Sequence, residues 1–349
     1  MLDRMLNHAD LIEMLDDLAR KRRLVGPVRR GERFLYEEVT DPRQLDLLFT
    51  YCVFGPRSYL FPPVETLFTF ESENGAFRAK PMLDARPLAL IGVHPCDLHA
   101  IALLDHVFGH EHADEHYLTR RRHTFIVGMD CGRPCTEGVF CADMGCHDTE
   151  SGFDLMLHLL GEKANGHARY GVRFGTPEGR QWVLYGRRSE VPTLDDERAF
   201  DRAQREKAAA FSRRIKTPAE ELPALLDRSY DSLLWEATAR RCYSCGSCNL
   251  SCPTCYCFNI LDDLSLDGSQ GTRRREWDGC QIKSFATVAG PHNFRPKAAS
   301  RLRHRIYRKA KWIREKTGLP GCVGCARCDR ACTAKINSVE IYNQLAEEV

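Results

Sequence analysis

Along the first twenty residues, Leu2, Met5, Leu6, Ala9, Ile12, Leu15 and Leu18 recur at helical spacing with acids between them. That pattern predicts an amphipathic helix over 2–20, ended by Gly26-Pro27. Asp41 followed by Pro42 reads as an N-cap with proline at the first helical position, continued as a second helix through Leu45, Leu48 and Phe49. Phe61-Pro62-Pro63 reads as a rigid, irregular connector. Residues 88–93 (LALIGV) and 124–129 (TFIVGM) are apolar runs of strand length. Between them, a tight turn at His94-Pro95 leads to a helix capped by Asp97, with Leu98, Ile101, Leu104 and Val107 turned inward. Strand, helix, strand with short joints is a βαβ unit with a right-handed crossover. Ligands of such sheets bind beyond the carboxyl ends of the strands, and Cys96 and Cys131 each lie just past such an end.

Further on, residues 169–186 alternate as RYGVRF, a TPEG turn and QWVLY, which predicts a hairpin. Residues 195–216 form a charged segment with little apolar periodicity, read as a solvated linker helix between two domains. Thr217-Pro218-Ala219-Glu220 has the form of a capping box opening a helix toward Arg241. The expected architecture is an α/β amino-terminal domain over residues 1–215, with a cysteine-rich loop. A mainly helical domain follows over residues 216–349, ferredoxin-like because Cys242, Cys245, Cys248 and Cys252, and again Cys322, Cys325, Cys328 and Cys332, keep the ferredoxin spacing. A length of 349 residues suits two domains at about 150 residues each.

Composition narrows the function classes. A net charge of +2 leaves no global basic field for nucleic acid, and 17 Phe, 11 Tyr and 4 Trp argue against a disordered chain. Acids interrupt the amino terminus, which excludes a secretory signal, and no apolar stretch approaches the ~18 residues of a membrane span. A soluble, cytoplasmic protein is therefore expected. In a reducing compartment its 17 cysteines imply metal, clusters or redox chemistry rather than disulfides.

Their spacing selects among these. Cys242-x2-Cys245-x2-Cys248-x3-Cys252-Pro253 and Cys322-x2-Cys325-x2-Cys328-x3-Cys332 are two copies of the C-x2-C-x2-C-x3-C run of bacterial ferredoxins. Three thiolates two residues apart wrap one cubane, and the fourth, opening a helix that points away, serves the other. Cys242, Cys245, Cys248 and Cys332 are thus expected to hold one [4Fe-4S] cluster, and Cys322, Cys325, Cys328 and Cys252 a second. Gly246 and Gly324 allow close backbone approach inside the loops. Zinc sites prefer paired C-x2-C units set far apart. Thr333 stands where proline usually follows the second run, which leaves the ligand count unchanged.

The segments GVHPCDLHAIALLDHVF, FCADMG, CPTCYCF, REWDGC, HNFRPKAASRLRHR and GCVGCARC resemble the iron–sulfur beta subunit of cytoplasmic sulfhydrogenases, or NAD(P)-linked nickel–iron hydrogenases, and the related iron–sulfur subunit of anaerobic sulfite reductases. The resemblance runs from about residue 30 to 340. It implies a non-catalytic electron carrier beside a flavin- and NAD(P)-binding subunit, serving hydrogenase or reductase catalytic subunits. A nickel–iron (sulf)hydrogenase complex fits best and a sulfite reductase complex next. A stand-alone redox enzyme and a redox-sensing structural subunit rank below both.

A second group, Cys131-x3-Cys135-x5-Cys141-x4-Cys146 with Cys96 upstream and His147 adjacent, matches no standard run. It suits zinc or a further cluster, or else buried cysteines in a loop. Cys255, Cys257 and Cys280 are read as polarizable packing around a cluster, the first two at the start of an exit helix, and Cys52 as core within an apolar helix. His106, His110, His112 and His116 are a polar tract after a helix rather than a metal site. No phosphate loop occurs, so no nucleotide cofactor is expected on this chain.

Residues 295–316 carry ten Lys or Arg against Glu315, a local charge of +9. Helical spacing places Leu302, Ile306, Lys309 and Ile313 toward the core and arginines outward, with Arg301, Arg305, Arg308 and Lys311 sharing one face. Lying between the two cysteine runs, this charge is expected to raise cluster potentials or to dock an acidic partner.

Overall fold

The computed structural model describes every residue except 74–75, 163–167, 187, 291 and 349. Strands β1 (Arg4–Asn7), β2 (Arg23–Arg30), β3 (Arg33–Val39), β4 (Val64–Glu73), β5 (Ala76–Pro81), β6 (Leu88–Val93), β7 (Thr124–Met129), β8 (Leu155–Glu162), β9 (Ala168–Phe174), β10 (Phe258–Leu264) and β11 (Gln270–Trp277) form two sheets. The larger has the order β1-β9-β8-β7-β6-β2-β3. Its centre, β2-β6-β7-β8, is parallel, and β3, β9 and β1 each pair antiparallel. Strands β6 and β7 are buried at every position. Such uniformly apolar runs belong to a sheet covered on both faces. Ala89, Ile91, Phe125 and Val127 pack under the helix His8–Ala19, while Leu88, Leu90, Val93 and Ile126 pack under the helix Pro95–Gly109. The βαβ expectation holds, and Cys96 and Cys131 follow the ends of neighbouring parallel strands.

The smaller sheet, β10-β11-β4-β5, is antiparallel throughout. It joins strands from both sides of residue 215. Arg275 in β11 faces Glu65 in β4 across the register, with Nε 2.7 Å from Oε2, and is itself 2% exposed. Trp277 Nε1 donates to the Phe61 carbonyl at 3.1 Å, and the Arg57 guanidinium stacks 3.5 Å from the Trp277 ring centroid. The carboxyl-terminal segment, expected as mainly helical, thus also carries the β10–β11 ribbon. Its helices gather around a core of Leu222, Leu226, Trp235, Leu302, Ile306, Tyr307 and Tyr342, which also takes in Phe140, Cys141 and Cys146 from the amino-terminal half.

Several local expectations are corrected. The first helix begins at His8, because Asn7 caps it through Asp10 N at 2.8 Å, and residues 4–7 pair with β9. Gly26-Pro27 lies inside β2. Asp41 does cap, at 3.0 Å to Arg43 N, but the helix is a single short turn, Pro42–Gln44. Cys52 is buried in extended chain rather than in a helix. The expected hairpin keeps only its first strand. The rest is the helix Pro177–Gly186, because Thr176 Oγ1 accepts from Gly179 N at 3.1 Å and proline leads the first turn.

The charged segment is the helix Leu194–Ala210, opened by a Thr193–Asp196 capping box. It is docked rather than solvated, since Phe200 and Lys207 are buried against the sheet end, with Lys207 bonded to Asp130. No side chain caps the helix Leu222–Arg228, which stops before a second helix at Leu234–Ala239. After Cys252 the chain turns at Pro253-Thr254 and passes through an irregular stretch into β10, so Cys255 and Cys257 are not on an exit helix.

Candidate functional site

The basic stretch determines the site. The helix Ala298–Tyr307, continued through a wider turn at Arg308–Trp312 to Thr317, lies against both cysteine runs. Leu302, Ile306, Lys309 and Ile313 are buried as expected, but so are Arg301 and Arg305. The arginines therefore do not form an exposed face. Arg301 straps the first run, its Nη2 donating to Ser244 Oγ at 2.8 Å and its Nη1 to the Pro296 carbonyl at 2.7 Å. Lys311 is neutralised by Asp227 at 2.5 Å and Glu315 at 3.0 Å.

Two neighbouring cavities lie along this helix. One is lined by Cys242, Cys245, Cys248, Cys328 and Cys332. The other is lined by Cys252, Cys322, Cys325 and Cys328. Arg305, Ile306, Cys328 and Ser338 form a shared wall. Each cavity thus draws thiols from both runs: the first takes three from the first run with Cys328 and Cys332 of the second, and the other takes three from the second run with Cys252, the last of the first.

Local geometry shapes the thiol cradles. Gly246 and Gly324 take φ of +77° and +64°, which turns the loop back on itself and frees amides to face sulfur. Gly324 N donates toward Cys322 Sγ at 3.5 Å, and Ile336 N toward Cys332 Sγ at 3.4 Å. Ser247 Oγ lies 3.3 Å from Cys245 Sγ, and Thr254 Oγ1 3.2 Å from Cys252 Sγ. Such second-layer hydrogen bonds stabilise thiolate and tune a bound metal.

Charge completes the fit. Arg305 and Lys309 are buried and make no salt bridge to a carboxylate among the described residues. Burial pulls the Arg305 guanidinium down, but Cys248, Cys328, Cys255 and Cys252, as thiolates, hold it well above its ordinary value. Lys309, bonded to Thr254 Oγ1 at 2.7 Å, is likewise raised by Cys252 and Cys255 against its burial. Burial pushes the thiols of Cys248 and Cys322 up to about 11 and of Cys325 up to about 12. Left to themselves these thiols stay protonated at neutral pH, so a metal must displace their protons on binding. Two buried cations facing clustered sulfur suit a group that brings its own negative charge, as a thiolate-bound cubane does.

The second cavity is roofed by the amino-terminal half. Phe140 lines it, and Phe140 N donates to the Gly324 carbonyl at 2.8 Å. Beside it Arg327, 3% exposed, pairs with Asp97 through two bonds of 2.5 and 2.7 Å and reaches the Cys52 carbonyl at 2.8 Å. Asp97, expected as a helix cap, sits in the first turn and serves the ion pair instead.

Cys255, Cys257 and Cys280 line neither cavity. Asn249 Nδ2 approaches Cys280 Sγ at 3.4 Å and Cys255 Sγ at 3.7 Å, so these thiols pack behind the first run. The His106 and His110 rings lie tilted at 35° with centroids 5.1 Å apart, while His116 faces Glu65 at 3.7 Å on another element. Among the described residues no three His, Cys, Asp or Glu stand close enough for a single metal ion. Asn249 and Gln281 carry no signal in the sequence, while Phe140 and Thr254 fall within the FCADMG and CPTCYCF segments without standing out there. The buried cations do, because Arg305 and Lys309 lie on the same i, i+3, i+4, i+7 stripe as Leu302, Ile306 and Ile313.

No helix among the described residues is long and apolar enough to cross a membrane. Residues 241–336 match the family described as the 4Fe-4S dicluster domain. The chain is similar to sulfhydrogenase 2 subunit beta of Pyrococcus furiosus, with 32% identity over 336 residues, 96% of each chain. With such identity over nearly the whole length, and with paired ferredoxin-type runs folded around adjoining thiol-lined cavities, the chain belongs to the family of sulfhydrogenase beta subunits, iron–sulfur proteins with a dicluster domain.

Proposed function

We propose that this protein is the electron-transfer component of a nickel–iron (sulf)hydrogenase complex, relaying single electrons between the terminal metal centre and a flavin- and NAD(P)-binding subunit. The observation that carries this reading is the crossed lining of the two cavities. Cys242, Cys245, Cys248 and Cys332 hold one [4Fe-4S] cluster, and Cys322, Cys325, Cys328 and Cys252 hold the other. A cubane in each supplies one-electron redox chemistry at a fixed place.

The chain's own residues do the rest. The shared wall of Arg305, Ile306 and Ser338 keeps the two thiol sets adjacent, as stepwise transfer requires. Arg305 and Lys309 balance added negative charge without a carboxylate. Leu302, Ile341, Val323 and Tyr342 exclude water. The carboxylate in the first cavity's lining, Asp329, accepts from Ser338 Oγ at 2.9 Å and Ser338 N at 3.2 Å, which fixes it as part of the wall. The relative's identity as a sulfhydrogenase component supports a hydrogenase assembly over a sulfite reductase.

The test is ligand crossing. Cys252→Ser is expected to damage the cluster otherwise held by Cys322, Cys325 and Cys328, and Cys332→Ser the other, each costing about four iron per chain. EPR of the reduced variants separates the two. Loss of one and the same signal from Cys252→Ser and Cys245→Ser would rule out the crossed assignment.

A further inference from the structure

Residues 130–154, between β7 and β8, form neither helix nor strand. A loop of that length inside a compact fold ordinarily serves a function or needs cross-linking to stay ordered. This one turns its cysteines inward. Cys141 and Cys146 are buried, Cys131 and Cys135 half-buried, and Cys96, at the end of the neighbouring strand, is 8% exposed. Cys131 lies within electrostatic reach of Cys135 and Cys141, and Cys96 within reach of Cys131. Cys146 shares their core and lies within electrostatic reach of Cys141, Cys322 and Cys325, but its thiol is already engaged, donating to the Met144 carbonyl at 3.3 Å, and its amide closes a turn on the Cys141 carbonyl at 2.7 Å.

The geometry points to a third iron–sulfur cluster, held by Cys96, Cys131, Cys135 and Cys141 at the carboxyl ends of β6 and β7, with Cys146 a structural thiol. The donors are all sulfur, which excludes hard cations and leaves zinc or an iron–sulfur cluster. A single zinc draws its thiolates to about 2.3 Å from one point, and no described group is that tight. The eight ferredoxin-type thiols likewise form no single-ion group among the described residues.

Two buried ion pairs flank the quartet. On one side Asp130 is bonded to His158 Nδ1 at 2.9 Å and to Lys207; on the other Asp97 pairs with Arg327. The first ties the start of the loop to β8 and the helix Leu194–Ala210, and the second ties the first turn of the helix Pro95–Gly109 to the second cysteine run. Cys96 and Cys141 share one packed core with Cys322 and Cys325, and the Phe140–Gly324 backbone bond joins the loop to the second run. The third cluster therefore adjoins the cavity of Cys322 and Cys325 and extends the relay into the α/β half.

The full-length protein, purified anaerobically, provides the test through iron, zinc and acid-labile sulfide per chain, with Mössbauer and EPR spectra. About twelve iron per chain is expected. The double variant Cys131→Ser/Cys135→Ser should fall to about eight while keeping both ferredoxin-type signals, and Cys146→Ser should keep all twelve. About eight iron in the wild type with both signals present would overturn this inference and leave the proposed function standing. One zinc per chain would also overturn it. Iron well below eight in the wild type would overturn both. Wild-type content decides, so the test holds even where the double variant fails to fold.

Discussion

The two thiol-lined cavities are built from the same cysteine spacing but differ in setting. The cavity of Cys242, Cys245 and Cys248 opens outward, with Cys245 exposed and Tyr243 73% exposed. The cavity of Cys322, Cys325 and Cys328 lies beneath the α/β half, closed by Phe140 and flanked by Lys309 and the Arg327–Asp97 pair. One motif has thus produced a surface-facing site and an interior one. The motif sets the thiol positions, while its neighbours set solvent access and local charge. Those are two of the properties that tune a cluster's potential. The outer site is suited to exchange with a partner subunit and the inner one to passage within the chain.

The largest expected difference comes from the ion pair that flanks only the inner site. Replacing Asp97 by Asn leaves Arg327 buried without its counter-charge and should cost about 3–5 kcal/mol of stability. The inner cluster should be lost before the outer on denaturant titration followed by EPR. Simultaneous loss of both would erase the distinction.

Next is the glycine at the same place in each run. A Cβ on Gly324 would lie 2.4 Å from the Phe140 carbonyl oxygen and 2.5 Å from Cys141 N, both backbone. On Gly246 it would meet only the Ile282 side chain, at 2.8 Å. Both have positive φ, so both alanine variants carry strain of about 1–3 kcal/mol, but only Gly324→Ala must also push its loop away from the Phe140–Cys141 backbone. Chemical unfolding midpoints should rank Gly324→Ala well below Gly246→Ala, and equal midpoints would mean that the two loops are equally enclosed.

Charge should sharpen the contrast further. Lys309 lines only the inner cavity, whereas Arg305 lines both. Removing a buried positive charge stabilises the oxidised form. Lys309→Met should therefore lower the inner potential by roughly 50–100 mV and the outer by less, and Arg305→Met should lower both. Redox titration followed by EPR reads this. The shifts should persist at high salt, since buried charge is poorly screened.

The smallest effect belongs to His304, on the same helix but outside both cavities. Burial, with Arg295 and Arg308 nearby, lowers it to about 4. Its folded-state value is below the unfolded one near 6.5, so the unfolded chain binds the extra proton between those limits. Stability is then complete above about pH 6.5 and falls as pH drops toward 4, by about 1 kcal/mol given the partial exposure of the ring. Thermal melts of wild type and His304→Gln across pH 4–6.5 should differ in slope by that amount, with cluster signals unchanged.

Cysteine spacing, two fully apolar strands and the turn between them are enough to predict the ferredoxin-type runs, the β6–β7 unit and the placing of Cys96 and Cys131 at its edge. These are local patterns, set by chain geometry and by the alternation of buried positions. The Pro177–Gly186 helix reads as a strand in the sequence, because a short amphipathic run satisfies both periods until a cap decides. The docked helix at Leu194–Ala210 reads as solvated, because Lys207 looks like surface charge until Asp130, from a distant strand end, accepts it. The strand pairing of β4 with β11, the Asp97–Arg327 pair and the burial of Arg305 and Lys309 all join residues far apart in the chain. Each buries charge or backbone that is favourable only once the partner is in place, so tertiary packing alone decided them.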